Sequence, residues 1–494
     1  MNERPVTDVQ DRSNLLGRIA ELEHQLAEAH AVILKLTAQI EELQRASKRQ
    51  AVPFARRERV ENPKKPGRKR HKGVFKKREK PAVEEVDMTK KAELRGCPQC
   101  SLELIDLKEH EQFEIDIPEV KPVITRYVML SGKCPQCGKR HWMYHPDQIS
   151  RATGAAGVVI GPRAKALAAN MKHRFGASYA KVCEALNDAF NLKVTRSAWC
   201  QADQRLAKQA KSVYEALIQA LQSCAVVHSD ETGWRIGLLS AWLWVFTNQQ
   251  ITVYTIETSR GHEVVLNILG KEFKGILASD CFLAYDHRDL AKWLKQKCLS
   301  HLLKDLKKLR ETKIRGAVRF AREVTALLQA ALALKAQKEQ LSAQQYAQQA
   351  ENLETCLDAL IDAKRQLTDP DNARFAKRLR KHREHVLRFL YVDGLDATNN
   401  LAERQLRPEV ITRKTNGCNR TENGADTHAI LGSILATCRQ QSVPILDYLV
   451  KLQKYGESPP SLIGIGVHIP STALGTRLGD DKLPFDHLLS LYSC

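Results

Sequence analysis

Apolar positions along this chain change period several times, and each change marks a different element. From Leu15 through Ile19, Leu22, Leu26, Ala29, Ile33, Leu36 and Ile40 to Leu43 they recur in alternating steps of four and three. So narrow a seam predicts a coiled coil, and Ile19, Leu26, Ile33 and Ile40 at a with mostly Leu at d favour two parallel strands. Residues 1–46 are therefore read as an oligomerisation segment that pairs with a second copy of the chain; the bland alternative is a single amphipathic helix on its own domain. Over residues 150–222 the period becomes that of surface helices. Helices are expected from Lys165 to Phe175, Ser178 to Phe190 and Ser197 to Leu217, with Asn191-Leu192-Lys193 as the turn between the last two. A helix-turn-helix-like unit fits, with Arg196, Ser197, Trp199 and Gln201 near the start of a reading helix, though most such pairs are only packing units.

After Cys224 the runs shorten to strand length. Ala225-Val226-Val227 reads as a strand ending in the acidic pair Asp230-Glu231. Trp234–Ile236, Ala241–Phe246 and Ile251–Ile256 follow as strands, with turns at Gly237-Leu238 and Asn248-Gln249-Gln250. His262–Leu269 is a crossover helix, and a further strand, Ile276-Leu277-Ala278, ends at Asp280. Strands separated by a hairpin and a crossover helix can lie side by side and parallel. Asp230 and Asp280 then face each other, and two carboxylates there suit a divalent cation, which takes oxygen ligands. Residues 223–310 form the first part of this core, 311–392 a long helical insertion, and 393–450 a second part whose helix begins near Thr398. The tail, 451–494, has no readable pattern. The fold class expected is multidomain α+β.

Charge sharpens this picture. The net charge is +20, and residues 51–80 carry 13 Lys/Arg against 3 Asp/Glu. An anionic polymer is the leading partner. Within the basic segment 47–92, Lys64, Lys65, Arg68, Lys69, Arg70 and Lys72 are interrupted by Pro66 and Gly67. Such a run suits an arm that enters the minor groove of double-stranded DNA; otherwise it is a solvated linker. No run of about 18 apolar residues predicts a membrane span, and the polar N-terminus lacks a signal-peptide core. A bacterial cytoplasmic protein, at the nucleoid when DNA-bound, is expected. Of 13 cysteines, four form the matched pairs Cys97-Pro-Gln-Cys100 and Cys134-Pro-Gln-Cys137, with strand-like sequence at Phe113–Ile117 and Val123–Leu130 between them. Four thiolates on two tight turns suit a structural Zn²⁺, so residues 93–146 are read as a zinc ribbon.

A third carboxylate would complete a metal site, and Glu403 is the best candidate. Asn399, Asn400, Glu403 and Arg407 recur at three- and four-residue steps on one helix. Arg404, Arg407, Arg413 and Lys414 cluster where phosphates would lie; the plain alternative is a surface helix with a Glu403–Arg407 ion pair. His228, two residues before Asp230, could orient a ligand or touch DNA but is read as packed, Glu231 as an N-cap-like or salt-bridging group, and Trp242 and Trp244 as core. Cys298 and His301 have helical spacing and could form half of a second metal site, but no partner pair is evident, and core packing or DNA-facing polarity is the simpler reading of them.

His228-Ser-Asp230-Glu231-Thr232-Gly-Trp234, the strand ending at Asp280, and Asn399-Asn400-Leu-Ala-Glu403-Arg404-Gln-Leu-Arg407-Pro408 resemble the IS66-family transposases. The order of zipper, basic arm, paired cysteines and acids resembles the family over nearly the whole chain, as does the Cys298-x-x-His301 segment. Departures are Cys281-Phe282, where the family usually has Gly-Tyr, and the segment Thr415 to Ala429. The resemblance implies a ribonuclease H-like catalytic core with Asp230, Asp280 and Glu403 as a DDE metal-binding triad. It implies binding of terminal inverted repeats, then strand cleavage and strand transfer, with accessory proteins of the same element as further partners. The acids permit two Mg²⁺ (or Mn²⁺) ions about 3.5–4 Å apart. The competing readings are a non-catalytic zinc-ribbon DNA-binding regulator and, more weakly, a coiled-coil scaffold.

Overall fold

The computed structural model describes residues 157–454 (except 315 and 363–365), 79–148 (except 93–95 and 98), 14, 16–29, 32 and 460–463. Residues 16–29 are helical, with Ile19, Leu22 and Leu26 exposed along them. Most of the rest of the heptad seam, and the arm bearing Lys64, Lys65, Arg68, Lys69, Arg70 and Lys72, lie outside the described residues. In the cysteine-pair region, β1 (Ser131–Lys133) and β2 (Arg140–Trp142) pair antiparallel around Cys134-Pro-Gln-Cys137. The strands expected at Phe113–Ile117 and Val123–Leu130 do not form, and Ile115, Ile117, Val123 and Ile124 stay exposed. Their apolar residues meet no face to bury against, and a strand without packed neighbours is not stable by itself.

Three helices follow: α1 (Pro162–His173), α2 (Tyr179–Phe190) and α3 (Arg196–Gln222). Ser178 and Thr195 cap α2 and α3, each hydroxyl accepting a first-turn N–H. Asn191 ends α2 in the left-handed conformation that Asn tolerates. Trp199 is fully buried among Ala168, Val182 and Leu186, so it cannot face a ligand from α3. Farther along, Leu206, Leu217 and Leu221 carry α3 into the main core.

That core surrounds a five-stranded sheet ordered β5-β4-β3-β6-β7. The strands are β3 (Val226–Ile236), β4 (Leu239–Thr247), β5 (Thr252–Glu257), β6 (Ile276–Ser279) and β7 (Leu294–Lys297). The first three form an antiparallel meander. After α4 (His262–Leu269), β6 returns parallel to β3, and β7 lies parallel to β6. The sequence pattern breaks the β3 region into two short strands, whereas it is one strand of 11 residues. Asp, Glu and Gly are poor strand formers, but β4 offers a partner all the way from Thr247 to Leu239 and overrides them. Asp230 is therefore mid-strand against β4, at the end only of the shorter pairing with β6. The strand β7, Leu-Lys-Gln-Lys, has no counterpart in the hydrophobic pattern. It is buried because its polar groups are matched: Gln296 bonds to Val386 O and Phe389 N–H, and Lys297 pairs with Asp286.

The insertion contains α6 (Ala317–Ala336), α7 (Ala343–Ile361), α8 (Pro370–Lys381) and α9 (Arg383–Val386), preceded by α5 (Leu299–Thr312). Phe320, Leu328 and Leu379 of the insertion share a core with Leu302 and Leu306 of α5 and Ile276 of β6. Each side chain so buried contributes about 1.5–3 kcal/mol, which fastens the insertion to the sheet. The chain closes with α10 (Asn400–Asn416), α11 (Glu422–Gln440) and α12 (Ile445–Leu452). No helix among the described residues is long and apolar enough to cross a membrane.

A buried polar node fixes α1–α3 to α10 and α11. Asp203 Oδ2 accepts from Tyr179 OH (2.9 Å) and meets His173 Nε2 (3.0 Å). His173 Nδ1 lies 3.4 Å from His428 Nδ1, and His428 Nε2 lies 2.7 Å from Glu409 Oε2. All four ionisable residues of that relay, His173, Asp203, Glu409 and His428, are buried. Deleting one partner strands the others without water. Asp203→Ala is accordingly expected to cost about 3–5 kcal/mol of stability, read as a lowered unfolding midpoint in denaturant; an unchanged midpoint would mean that the node carries no load.

Candidate active site

β3 and β6 pair in the register Val226↔Ile276, Val227↔Leu277 and His228↔Ala278. The same offset carried two residues further sets Asp230 opposite Asp280, so parallel pairing alone brings these acids together. Asp230 is mostly buried, and its Oδ1 accepts the Glu231 N–H at 2.9 Å. Asp280 Oδ1 accepts the Phe282 N–H at 2.9 Å, which turns the chain sharply after β6. Behind it, the buried Lys297 ammonium donates to Asp280 O at 3.0 Å and pairs with Asp286 at 2.9 Å. This anchors the loop that carries the second acid.

Glu403 reaches the same place from α10. Its Oε1 lies 3.9 Å from His301 Nδ1, and one ligand atom each of Cys298, His301 and Glu403 fall within 4.8 Å of one another. Electrostatics links Asp230 to Asp280, and His301 to both Asp280 and Glu403. Burial, then the charges of Glu231 and Asp280, push the Asp230 carboxyl up to about 7, against the Glu231 N–H and His301. His301 is raised to about 9 by the Cys298 sulfur first, and also by Asp280 and Glu403, despite partial burial. A buried carboxyl held partly neutral beside two other acids is a place where a cation lowers the free energy. Asp230 and Asp280 offer oxygen donors of the kind a hard divalent metal takes, while Glu403 lies with Cys298 and His301 in the neighbouring group of ligand atoms.

What places Glu403 is Asn399, a fully buried residue at the N-cap of α10. Its Nδ2 donates to Ser229 O (2.8 Å), and its Oδ1 meets His228 Nδ1 at 3.2 Å. Its backbone N–H donates to Cys298 Sγ (3.1 Å), and its carbonyl accepts the Glu403 N–H (3.1 Å). One residue thus joins β3, the start of α5 and the Glu helix. His228 is the packed histidine its position suggests, and burial holds its imidazole below the usual range. Glu231 is the expected salt-bridging group: Arg260 donates two N–H groups to it (2.8 and 3.0 Å) and Tyr285 OH a third (2.9 Å). Arg260 is itself stacked between the Trp242 and Phe282 rings.

Cys298 is buried, in keeping with packing, while His301 is partly exposed beside Glu403, the partner far away in sequence that their spacing lacked. One reading of the sequence needs correction. Arg413 is turned inward, donating to Thr232 Oγ1 (2.9 Å) and to Gly233 O, so it ties α10 to β3 instead of facing DNA. Arg404, Arg407 and Lys414 do face outward. In the cysteine region each pair closes a knuckle, with Ser101 N–H on Cys97 O and Gly138 N–H on Cys134 O. Hydrogen bonds from Gln99 and Cys100 lower the Cys97 thiol, and bonds from Cys137 and Gln136 do the same for Cys134. The four sulfurs Cys97, Cys100, Cys134 and Cys137 are not gathered at one point.

A family model described as "Transposase IS66 family" matches residues 157–427, which span the helical unit, the sheet, the insertion and the Glu helix. An uncharacterized protein of Sinorhizobium fredii, y4qI, is 24% identical over 300 residues, covering 54% of this chain and 54% of that protein. The chain thus spans about half the length of that curated relative.

The Asp230 carboxyl must shed its proton before it can hold a cation. With burial and the neighbouring acids pushing that carboxyl up to about 7, the affinity for Mg²⁺ is expected to fall about tenfold per pH unit below that point and to level off above it. Calorimetric titration of the metal-free protein across this range checks it; a flat profile would show that Asp230 is not a ligand.

Proposed function

The chain belongs to the IS66 family of transposases, and from that premise we propose that it cuts and joins DNA by metal-assisted phosphoryl transfer. The observation that supports this reading is the β3–β6 register that sets Asp230 opposite Asp280, with His301 standing between Asp280 and the Glu403 that Asn399 positions. The strand order and the mid-strand position of the first acid support a ribonuclease H-like core. When bound, two Mg²⁺ ions would supply activation of the attacking oxygen and stabilisation of the leaving 3′-oxygen. Asp230 would be the ligand shared by both ions, and Asp280 and Glu403 would each hold one. His301 brings a positive charge to the edge of the site, where a scissile phosphate is negative. Asn399 fixes the direction from which Glu403 approaches. Water serves as nucleophile for cleavage and a DNA 3′-hydroxyl for joining, so no covalent protein–DNA intermediate is formed.

Around this centre, the basic arm of Lys64 to Lys72 and the outward Arg404, Arg407 and Lys414 are proposed to hold duplex DNA, including the terminal repeats of the element. The heptad segment would pair two copies of the chain. The donor chemistry of the two cysteine knuckles suits Zn²⁺, which would draw Cys97, Cys100, Cys134 and Cys137 together.

Asp230→Asn keeps the shape of the site but removes the shared charge. It is expected to bind duplex DNA as the wild type does and to lose Mg²⁺- or Mn²⁺-dependent nicking to background in a plasmid assay; undiminished nicking would refute the triad. The zinc assignment is independent of it. Protein purified without added metal is expected to carry one zinc per chain by mass spectrometry, and Cys134→Ser to lose it. Zinc-free wild type would overturn the assignment.

A further inference from the structure

Helices α5 and α10 begin at the same point. Cys298 is the N-cap of α5 and Asn399 the N-cap of α10, and the Asn399 N–H donates to Cys298 Sγ at 3.1 Å. Both positive dipole ends therefore face the acid cluster, and each helix leads away from it. The outward face of α10 carries Arg404, Arg407 and Lys414, already assigned to DNA. The face of α5 that begins with His301 continues through Lys304 and Lys308, at steps of three and four. Both lysines are exposed, and among the described residues neither has a carboxylate partner. Asp305, between them, is taken by Arg378 at 2.8 Å. Beyond Lys308 lies a groove of about 590 Å³ between α5 and α8. Its other cations are occupied: Lys313 by Asp369 and Asp371, Arg374 by Asp371, and Arg378 by Asp305.

We propose that Lys304 and Lys308 form a second phosphate track, so that α10 holds the DNA on one side of the scissile bond and α5 holds it on the other. This rests on the DNA-cutting reading above. The geometry suits a nucleic-acid strand. At about 1.5 Å per helical residue, Lys304 and Lys308 lie roughly 4.5 and 10.5 Å along the axis from His301. Their separation of roughly 6 Å covers about two of the 3.4 Å steps by which one strand's charges advance along a duplex axis. Cations already bound to carboxylates cannot release counterions from DNA, which ends the track at Lys308.

The test is fluorescence anisotropy of the full chain on a labelled linear duplex of arbitrary sequence, without divalent metal, over a series of salt concentrations. Each lost phosphate contact flattens the log–log salt dependence by about 0.9. Lys304→Ala/Lys308→Ala is expected to flatten it by about 1.8, and Lys304→Glu/Lys308→Glu by more. The charge-matched control Lys271→Ala/Lys451→Ala, exposed lysines outside both helices, is expected to leave it unchanged. Combining the α5 pair with Arg404→Ala/Arg407→Ala should give the sum of the two losses. If the α5 pair matches the wild type, or the control flattens the slope as much, the track is overturned while DNA binding stands. If the wild type does not bind the duplex, the DNA-cutting reading itself fails.

Discussion

The buried amide of Asn399 and the strand register beneath it hold the candidate site together. Parallel pairing brings Asp230 and Asp280 together with no help from distant sequence, because they follow their strands at the same offset. Glu403 has no such guarantee. It arrives after a long helical insertion, on a helix that could start anywhere. The side chain of Asn399 closes that freedom by bonding the β3 backbone at Ser229, while its own N–H reaches Cys298. A side-chain amide is suited to this, since it can donate and accept at once in a place that water does not reach.

The charges explain why such support is needed. Asp230, Glu231 and Asp280 stand close together in a partly buried place, where they repel one another and are poorly solvated, so by themselves they work against folding. The protein offsets this with fixed partners that leave the ligand oxygens free. Arg260 and Tyr285 hold Glu231, and Lys297 holds the carbonyl of Asp280 and the carboxylate of Asp286. His301 is a cationic partner beside Asp280 and Glu403. The same logic governs the node at His173, Asp203, His428 and Glu409, where every buried charge meets another polar group before it meets apolar wall.

These anchors join the helices on either side to the sheet in one body. Through α3 and the buried node, the helical unit grips α10 and α11; through Leu302 and Leu306, the insertion grips the strand that delivers Asp280. An element bound so firmly on both flanks can present charged helix faces in fixed positions relative to the acids.

Much of this was legible in the sequence because it is local. Helical periods gave α1–α3 and the insertion to within a few residues, the run of apolar triplets gave the strands, and the acids stood out at the ends of apolar runs. Motif order pointed to the family, which the match over residues 157–427 shows. Pairing decided the rest. Only the length of β4 makes the β3 region one strand, and only matched partners allow Lys295, Gln296 and Lys297 to be buried as β7. Likewise, Trp199, Arg413 and His301 took their roles from neighbours far along the chain. Hydrophobic period reports which face of an element is buried, a property of a few adjacent residues. Which polar group meets which across the fold depends on contacts that no local window contains, and that was settled only when the chain closed on itself.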